Sequence, residues 1–193
     1  MQSEDIEGIL TFLRAAERLK TVNRSGWTST GMAESVAEHT WRLCLMAMLL
    51  YSRASGVDLA RLLKMCLIHD LGEAVRGDVP APAQLGGTNK AEQERADLLQ
   101  LTESLPQPLQ GEIVELWDEY EAAASPEARV AKGLDKLETI LQHTQGRNPP
   151  DFDYAFNLAY GRRYTAVEPV LAAIRMRLDE ETARRAKESG AAP

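Results

Sequence analysis

The chain has 193 residues, 44% hydrophobic and 26% charged, with a formal net charge of -7. That length suits one ordinary domain with a real core, and the negative charge excludes the coating of a polyanion such as DNA, which needs a basic face. No stretch approaches the roughly 20 apolar residues of a membrane span, and the opening MQSEDIEGILTFLRAAERLK lacks an uninterrupted apolar run, so a cytoplasmic protein with no membrane or nucleic-acid polymer partner is expected.

Methionine, leucine and alanine are plentiful, and no β-branched alternation lasts long enough to read as a strand, which favours an all-α fold. A first helix is expected from Ser3 to near Lys20, with Glu4 and Asp5 in its first turn and Ile6, Ile9, Leu10 and Leu13 on one face. NRSGWTSTGM reads as a loop. Ser35 and Glu38 then form an S-x-x-E capping box for a second helix toward Ser52, with Gly56 past its end, so Glu34 and Glu38 read as capping residues. Asp58 caps a third helix, LARLLKMCLIHD, which is apolar almost all round. Cys44 and Cys66, in apolar helical settings, read as core thiols, not as a disulfide framework.

RGDVPAPAQLGGTN reads as a loop, after which Asn89 and Glu92 cap a helix to about Thr102. Pro106 and Pro108 open the next helix, and Ser125 with Pro126 starts a long one carrying Val130, Leu134, Leu137 and Leu141 at helical spacing. GRNPPDFD precedes a short helix near Tyr154. Thr165 and Glu168 offer a capping box for a last helix, which loses its apolar face in a charged tail from about residue 183. Trp117, Tyr120, Phe152, Tyr154 and Phe156 suit core or interface, with core the default. Residues 1–193 thus read as a single compact multi-helix bundle.

His39 shares its helix face with Val36, Leu43, Met46 and Leu50, and His69 follows Leu62 and Cys66, so both point inward from consecutive helices. Either alone reads as a core histidine bonded to a neighbour. His69 is followed by Asp70, Glu73 and Asp78, a concentration of acid that is expensive to bury without a cation among it. Asp135 is the choice for a further ligand. It flanks the Val130 to Leu141 stripe, on a strip with Ala131, Glu138, Thr139 and Gln142 that can line a cavity or, equally, face solvent. Mixed imidazole and carboxylate ligands suit manganese, cobalt, iron or zinc better than magnesium. His143 lies near a helix C-terminus, where the dipole is a sufficient reading, and is assigned no site.

His39, His69-Asp70 and Asp135 reproduce the order H…HD…D, within the surrounding text ESVAEHTWR, HDLGEA, GDVP and LDKLE. In these motifs, over most of its length, the chain resembles the HD-domain metal-dependent phosphohydrolases, and within them the compact 5′-deoxyribonucleotidases. The resemblance implies an all-α HD-domain bundle, a homodimer, and a divalent metal ion held by His39, His69, Asp70 and Asp135. It implies that Glu73 handles the proton in hydrolysis, with orientation of a ligand imidazole as the alternative. Arg24 would clamp the phosphate and Trp27 pack on sugar or base, although here two residues separate them where some members have them adjacent. Asp78 would accept the sugar 3′-hydroxyl, the alternative being a turn residue in Gly-Asp.

The expected function is metal-dependent hydrolysis of (deoxy)nucleoside 5′-monophosphates, small-molecule substrates. The alternatives are an HD phosphohydrolase for a phosphodiester or alarmone, and a non-catalytic dimeric metal- or nucleotide-binding module.

Overall fold

The stripe from Val130 to Leu141 becomes the central helix of the molecule, whose computed structural model describes residues 2–52, 56–79 and 90–190. This helix, α7 (Pro126–Gln145), starts as its sequence dictates: Ser125 accepts from the Ala128 amide, and proline sits where no amide is needed. Around it pack α2 (Val36–Tyr51), α3 (Leu59–Ile68), α6 (Gln107–Ala122) and α10 (Pro169–Gly190). Leu43, Leu62, Met65, Leu134, Leu137, Ile140 and Leu171 fill the space between them, so the fold is all-α as read. Among the described residues no helix is long and apolar enough to cross a membrane.

Local signals set most helix ends. The Ser35 and Glu38 capping box forms on α2, the Glu38 carboxylate accepting from the Ser35 amide at 2.7 Å. Asp58 caps α3 through the Ala60 and Arg61 amides. The first helix splits into α1 (Ser3–Ala16) and a 3₁₀ turn at Glu17–Lys20. The remaining elements are α4 (Glu73–Arg76), α5 (Lys90–Leu101), α8 (Tyr154–Ala159) and α9 (Arg162–Thr165). The Asn89 cap and the loop residues 80–89, with Pro80 and Pro82, lie outside the described residues. Cys44 and Cys66 are free thiols.

Two expectations are corrected. NRSGWTSTGM contains a hairpin, β1 (Asn23–Trp27) and β2 (Ala33–Ser35), closed by a turn with Gly31 at φ 87°. The Thr165 cap does not form. Pro169 takes the first helical position, so Glu168 becomes the cap and accepts from the Leu171 amide at 3.2 Å. The charged tail after about residue 183 stays helical through Gly190, because buried Thr182 and the Arg185 bond to the Thr144 carbonyl (2.9 Å) keep α10 docked.

The break after α3 positions the site. From Ile68 to Val75 the backbone bonds run i to i+3, as in Glu73 to Asp70 at 3.1 Å, tightening the chain after the helix. Gly72 makes this possible: a Cβ there would lie 2.9 Å from the Glu94 carbonyl of α5.

Candidate metal centre and adjoining cavity

His39 comes from the second turn of α2, His69 and Asp70 from the end of α3, and Asp135 from the middle of α7. Their side chains converge. His39 Nε2 lies 3.4 Å from Asp135 Oδ1 and 4.0 Å from Asp70 Oδ2; His69 Nε2 lies 3.0 Å from Asp70 Oδ2 and 3.9 Å from Asp135 Oδ1. Ligands about 2.1 Å from one ion stand about 3 to 3.5 Å apart, so this spacing suits a shared cation.

The ring orientations point the same way. The Cys66 carbonyl, 2.8 Å from His69 Nδ1, can only accept, so Nδ1 carries the proton and Nε2 of a neutral ring turns a lone pair toward Asp70. His39 Nδ1 donates to Glu138, which leaves its Nε2 toward the same point. Both Nε2 atoms are buried without a well-formed hydrogen bond among the described residues. Opposed lone pairs and carboxylates in a buried space call for a positive charge between them, so the residues fit a metal.

The carboxylates are oriented as well. Asp135 Oδ2 accepts from Lys136 Nζ (2.8 Å) and the Tyr120 hydroxyl (3.3 Å), leaving Oδ1 toward the histidines. Burial opposes the charge on Asp135, but Lys136 and the two histidines outweigh it and hold the carboxyl well below its usual range. Burial likewise opposes the charge on Asp70, and His69 and Arg24 pull its pKa down. Burial and Arg24 work against protonation of His39, yet Glu138 and Asp135 raise it to about 9: with no other cation between the carboxylates His39 Nε2 takes a proton, which a bound metal would displace. Trp117 Nε1 donates to the His69 carbonyl at 3.1 Å, fixing the turn that carries the pair, and both Trp117 and Tyr120 are core residues as expected.

Arg24 reaches this cluster from β1, donating to Asp70 Oδ2 (3.0 Å) and Thr139 Oγ1 (3.1 Å). Burial disfavours its charge, but Asp70 and Asp135 more than restore it. In a regular strand Arg24 and Trp27, three apart, would face opposite sides. Asn23 pairs with Ser35 but Trp27 with Ala33, so β1 buckles and both side chains line one cavity of about 420 Å³. Asp70, Glu73, Asp78, Asp135, Phe152 and Phe156 also line it. Trp27 meets Phe152 edge-on at 6.2 Å between centroids, giving the cavity an aromatic wall. Glu73 Oε2 is buried without a partner among the described residues. Burial, then Asp70 and Asp78, push the Glu73 carboxyl up to about 10. Burial also raises Asp78, whose carboxyl lines the same cavity within hydrogen-bonding reach of Glu73.

Three functional neighbours were not legible as such. Glu34 is no capping residue: it is buried in β2 beside Arg24 Nε (3.8 Å) and Arg42 (3.6 Å), with its carboxyl raised to about 7 by burial and Glu138. Glu138 bridges His39 and Arg42 Nε (2.6 Å). A second possible ligand group, Glu34, His39 and Glu138, is thereby occupied by arginine. His143 is buried in the cavity wall, its Nδ1 3.1 Å from Asn157 Oδ1, with burial lowering its pKa. Replacing Glu138 by Gln removes the charge that orients His39 and balances Arg42. Metal affinity is expected to fall about 10- to 100-fold, read by competition with a chromophoric chelator, with the melting temperature as the folding control.

Fold and site together define a helical-bundle protein in which His39, His69 and Asp70 form a group that could hold a metal, with Asp135 beside them. A family model described as HD domain matches residues 16–175. The chain is 36% identical over 140 residues to "5′-deoxynucleotidase HDDC2" of Mus musculus, covering 72% of this chain and 69% of the relative. It is also 36% identical over 139 residues to the Homo sapiens protein of that name, covering 71% and 67%. A crystal structure from Magnetospirillum magnetotacticum MS-1, of a "predicted metal-dependent phosphohydrolase", superposes with a TM-score of 0.80 at 30% identity, covering 95% of this chain and 97% of that one. The chain belongs to the HD-domain family.

Proposed function

We propose that the chain hydrolyses deoxynucleoside 5′-monophosphates to nucleoside and phosphate at one divalent metal ion held by His39, His69, Asp70 and Asp135. The observation that carries this reading is the convergence of two free imidazole Nε2 atoms and two carboxylates beside Arg24 and an aromatic cavity. The names of the mouse and human relatives support the substrate class. When bound, the metal supplies Lewis-acid polarisation of the phosphate and activation of water. The donor set suits manganese, cobalt, iron or zinc.

The chain's own residues do the rest. Arg24 offers its planar fork to the phosphate oxygens, keeping its bond to Thr139 as an anchor. Water forms the new bond to phosphorus, the bond to O5′ breaks, and Glu73 gives a proton to O5′ as the nucleoside departs. Trp27 and Phe152 wall the space for sugar and base. Residues 1–193 act as one domain, and the free thiols suit a cytoplasmic setting. The apolar stripe Trp41, Met48 and Leu49 on α2, 67%, 45% and 68% exposed, suits burial in a homodimer.

Asp78 accepts the sugar 3′-hydroxyl in this reading. Asp78→Ala should lower kcat/KM for a deoxynucleoside 5′-monophosphate by the roughly 1 to 3 kcal/mol of an unmade buried hydrogen bond, and hardly change that for the 2′,3′-dideoxy analogue. Parallel losses on both compounds would make Asp78 a turn residue. The function itself is tested by phosphate release across nucleoside monophosphates, diphosphates, cyclic nucleotides and guanosine polyphosphates. Turnover confined to deoxynucleoside 5′-monophosphates supports it, and turnover of diesters or polyphosphates instead overturns it.

A further inference from the structure

The ligand cluster has a second cavity beside it. A chamber of about 700 Å³ shares Asp70, Glu73, Lys90, Asp135, Lys136 and Tyr160 with the aromatic cavity. Position along α7 separates the two: His143 and Thr139 line the first, Lys132 lines the second, and Asp135 lies between. At 1.5 Å per residue, Lys132 and His143 stand about 16 Å apart along the helix axis, so the chambers approach the ligands from opposite ends.

Their linings differ in kind. The first is walled by Trp27, Phe152 and Phe156; Lys90 and Lys136 line both, and the second alone adds Lys132, Arg162 and Arg163 among its described residues. Glu73, Glu94 and Glu121 line it too: Lys90 pairs with Glu94 (3.0 Å), Lys136 with Asp135 (2.8 Å) and Arg162 with Asp179 (3.3 Å), while Arg163 has no carboxylate partner among the described residues. Lys132 is buried, donates to Glu121 at 2.9 Å, and lies over the rings of Tyr120 (4.4 Å) and Tyr164 (5.5 Å). An ammonium has three donors, so this pairing leaves capacity for an anion. Arg163 is exposed at the rim beside Tyr164.

In-line displacement sets the incoming water oxygen and the leaving O5′ on opposite sides of phosphorus. With the nucleoside in the aromatic cavity, the phosphoryl group moves during reaction away from it, toward the basic chamber. Building on the nucleotidase reading above, we propose that the chamber lined by Lys132, Lys136 and Arg163 is a second phosphate subsite, which receives the product phosphate while the nucleoside leaves through the aromatic cavity.

The test is isothermal titration of the metal-loaded protein with inorganic phosphate, with and without a non-hydrolysable deoxynucleoside 5′-phosphonate. Two phosphates per chain are expected, one displaced by the phosphonate and weakened in Arg24→Gln, the other insensitive to both. Lys132→Gln and Arg163→Gln should each weaken only the insensitive phosphate, by about tenfold, the loss of one charge-assisted hydrogen bond. Arg163 is at the surface, so its variant reports even where the buried Lys132 variant fails to fold. A single phosphate fully displaced by the phosphonate, or an insensitive phosphate unchanged in Arg163→Gln and a folded Lys132→Gln, overturns the subsite. Hydrolysis of monophosphates with only one phosphate bound defeats the subsite and leaves the function standing; two phosphates bound without any hydrolysis defeats the function alone.

Discussion

Glu73→Gln is expected to keep its metal and lose about 10² to 10⁴ in kcat, the usual contribution of a positioned proton donor. The amide has the shape of the acid but cannot give a proton to O5′. Burial, then the Asp70 and Asp78 charges, raise the Glu73 carboxyl to about 10, so its acid form persists across neutral pH. A bound cation favours the charged form and brings that value down. The sign follows: as pH rises through the Glu73 pKa the donor is lost, so wild-type kcat should fall on an alkaline limb lying below pH 10. In Glu73→Gln that limb should vanish along with the rate. Metal content by emission spectroscopy and a pH profile of kcat check both halves, and wild-type turnover in the variant would leave Glu73 only an orienting role.

His69→Ala and Asp70→Ala should each lose metal and hydrolysis together. Each deletes a donor that the fold aims at the shared point, so affinity should drop by more than the roughly 10- to 100-fold that follows loss of an outer partner. His143→Ala is the control: its ring is bonded to Asn157, away from the ligand atoms, and its metal content should match wild type. Retention of one metal per chain in His69→Ala, or its loss in His143→Ala, would relocate the centre.

Much of this site could be read before the fold. The face shared by His39 with Leu43, and by His69 with Leu62 and Cys66, follows from helical periodicity, and both histidines are buried. Asp135 sat between two readings because its strip is polar; burial of Glu138, Thr139 and Gln142 beside it decides for the cavity. What periodicity could not reach is set by contacts distant in sequence. The hairpin that delivers Arg24 is short and buckled, and it is held by α7: the Gln142 side chain bonds the Trp27 carbonyl, and a Cβ at Gly146 would fall 2.2 Å from that same oxygen. No alternating pattern encodes such a strand. Glu34 looked satisfied as part of a helix start because Arg24 and Arg42, its actual partners, come from the hairpin and from a later turn of α2. Glu73 lies four residues after His69 and would share its face if the helix continued. The chain tightens instead, and the close approach of α5 over Gly72 still leaves Glu73 lining the cavity.

In the function proposed above, one metal ion, held by the two histidines and two aspartates, makes this chain a phosphomonoester hydrolase. This reading is tested most directly by titrating metal-stripped protein with manganese, and separately with zinc, reading bound metal per chain and phosphate release from a deoxynucleoside 5′-monophosphate in the same samples. No release is expected without metal, and the rate should climb in proportion to occupancy and saturate at one ion per chain. Release from the stripped protein, or a rate that rises only after a second ion has bound, would contradict it.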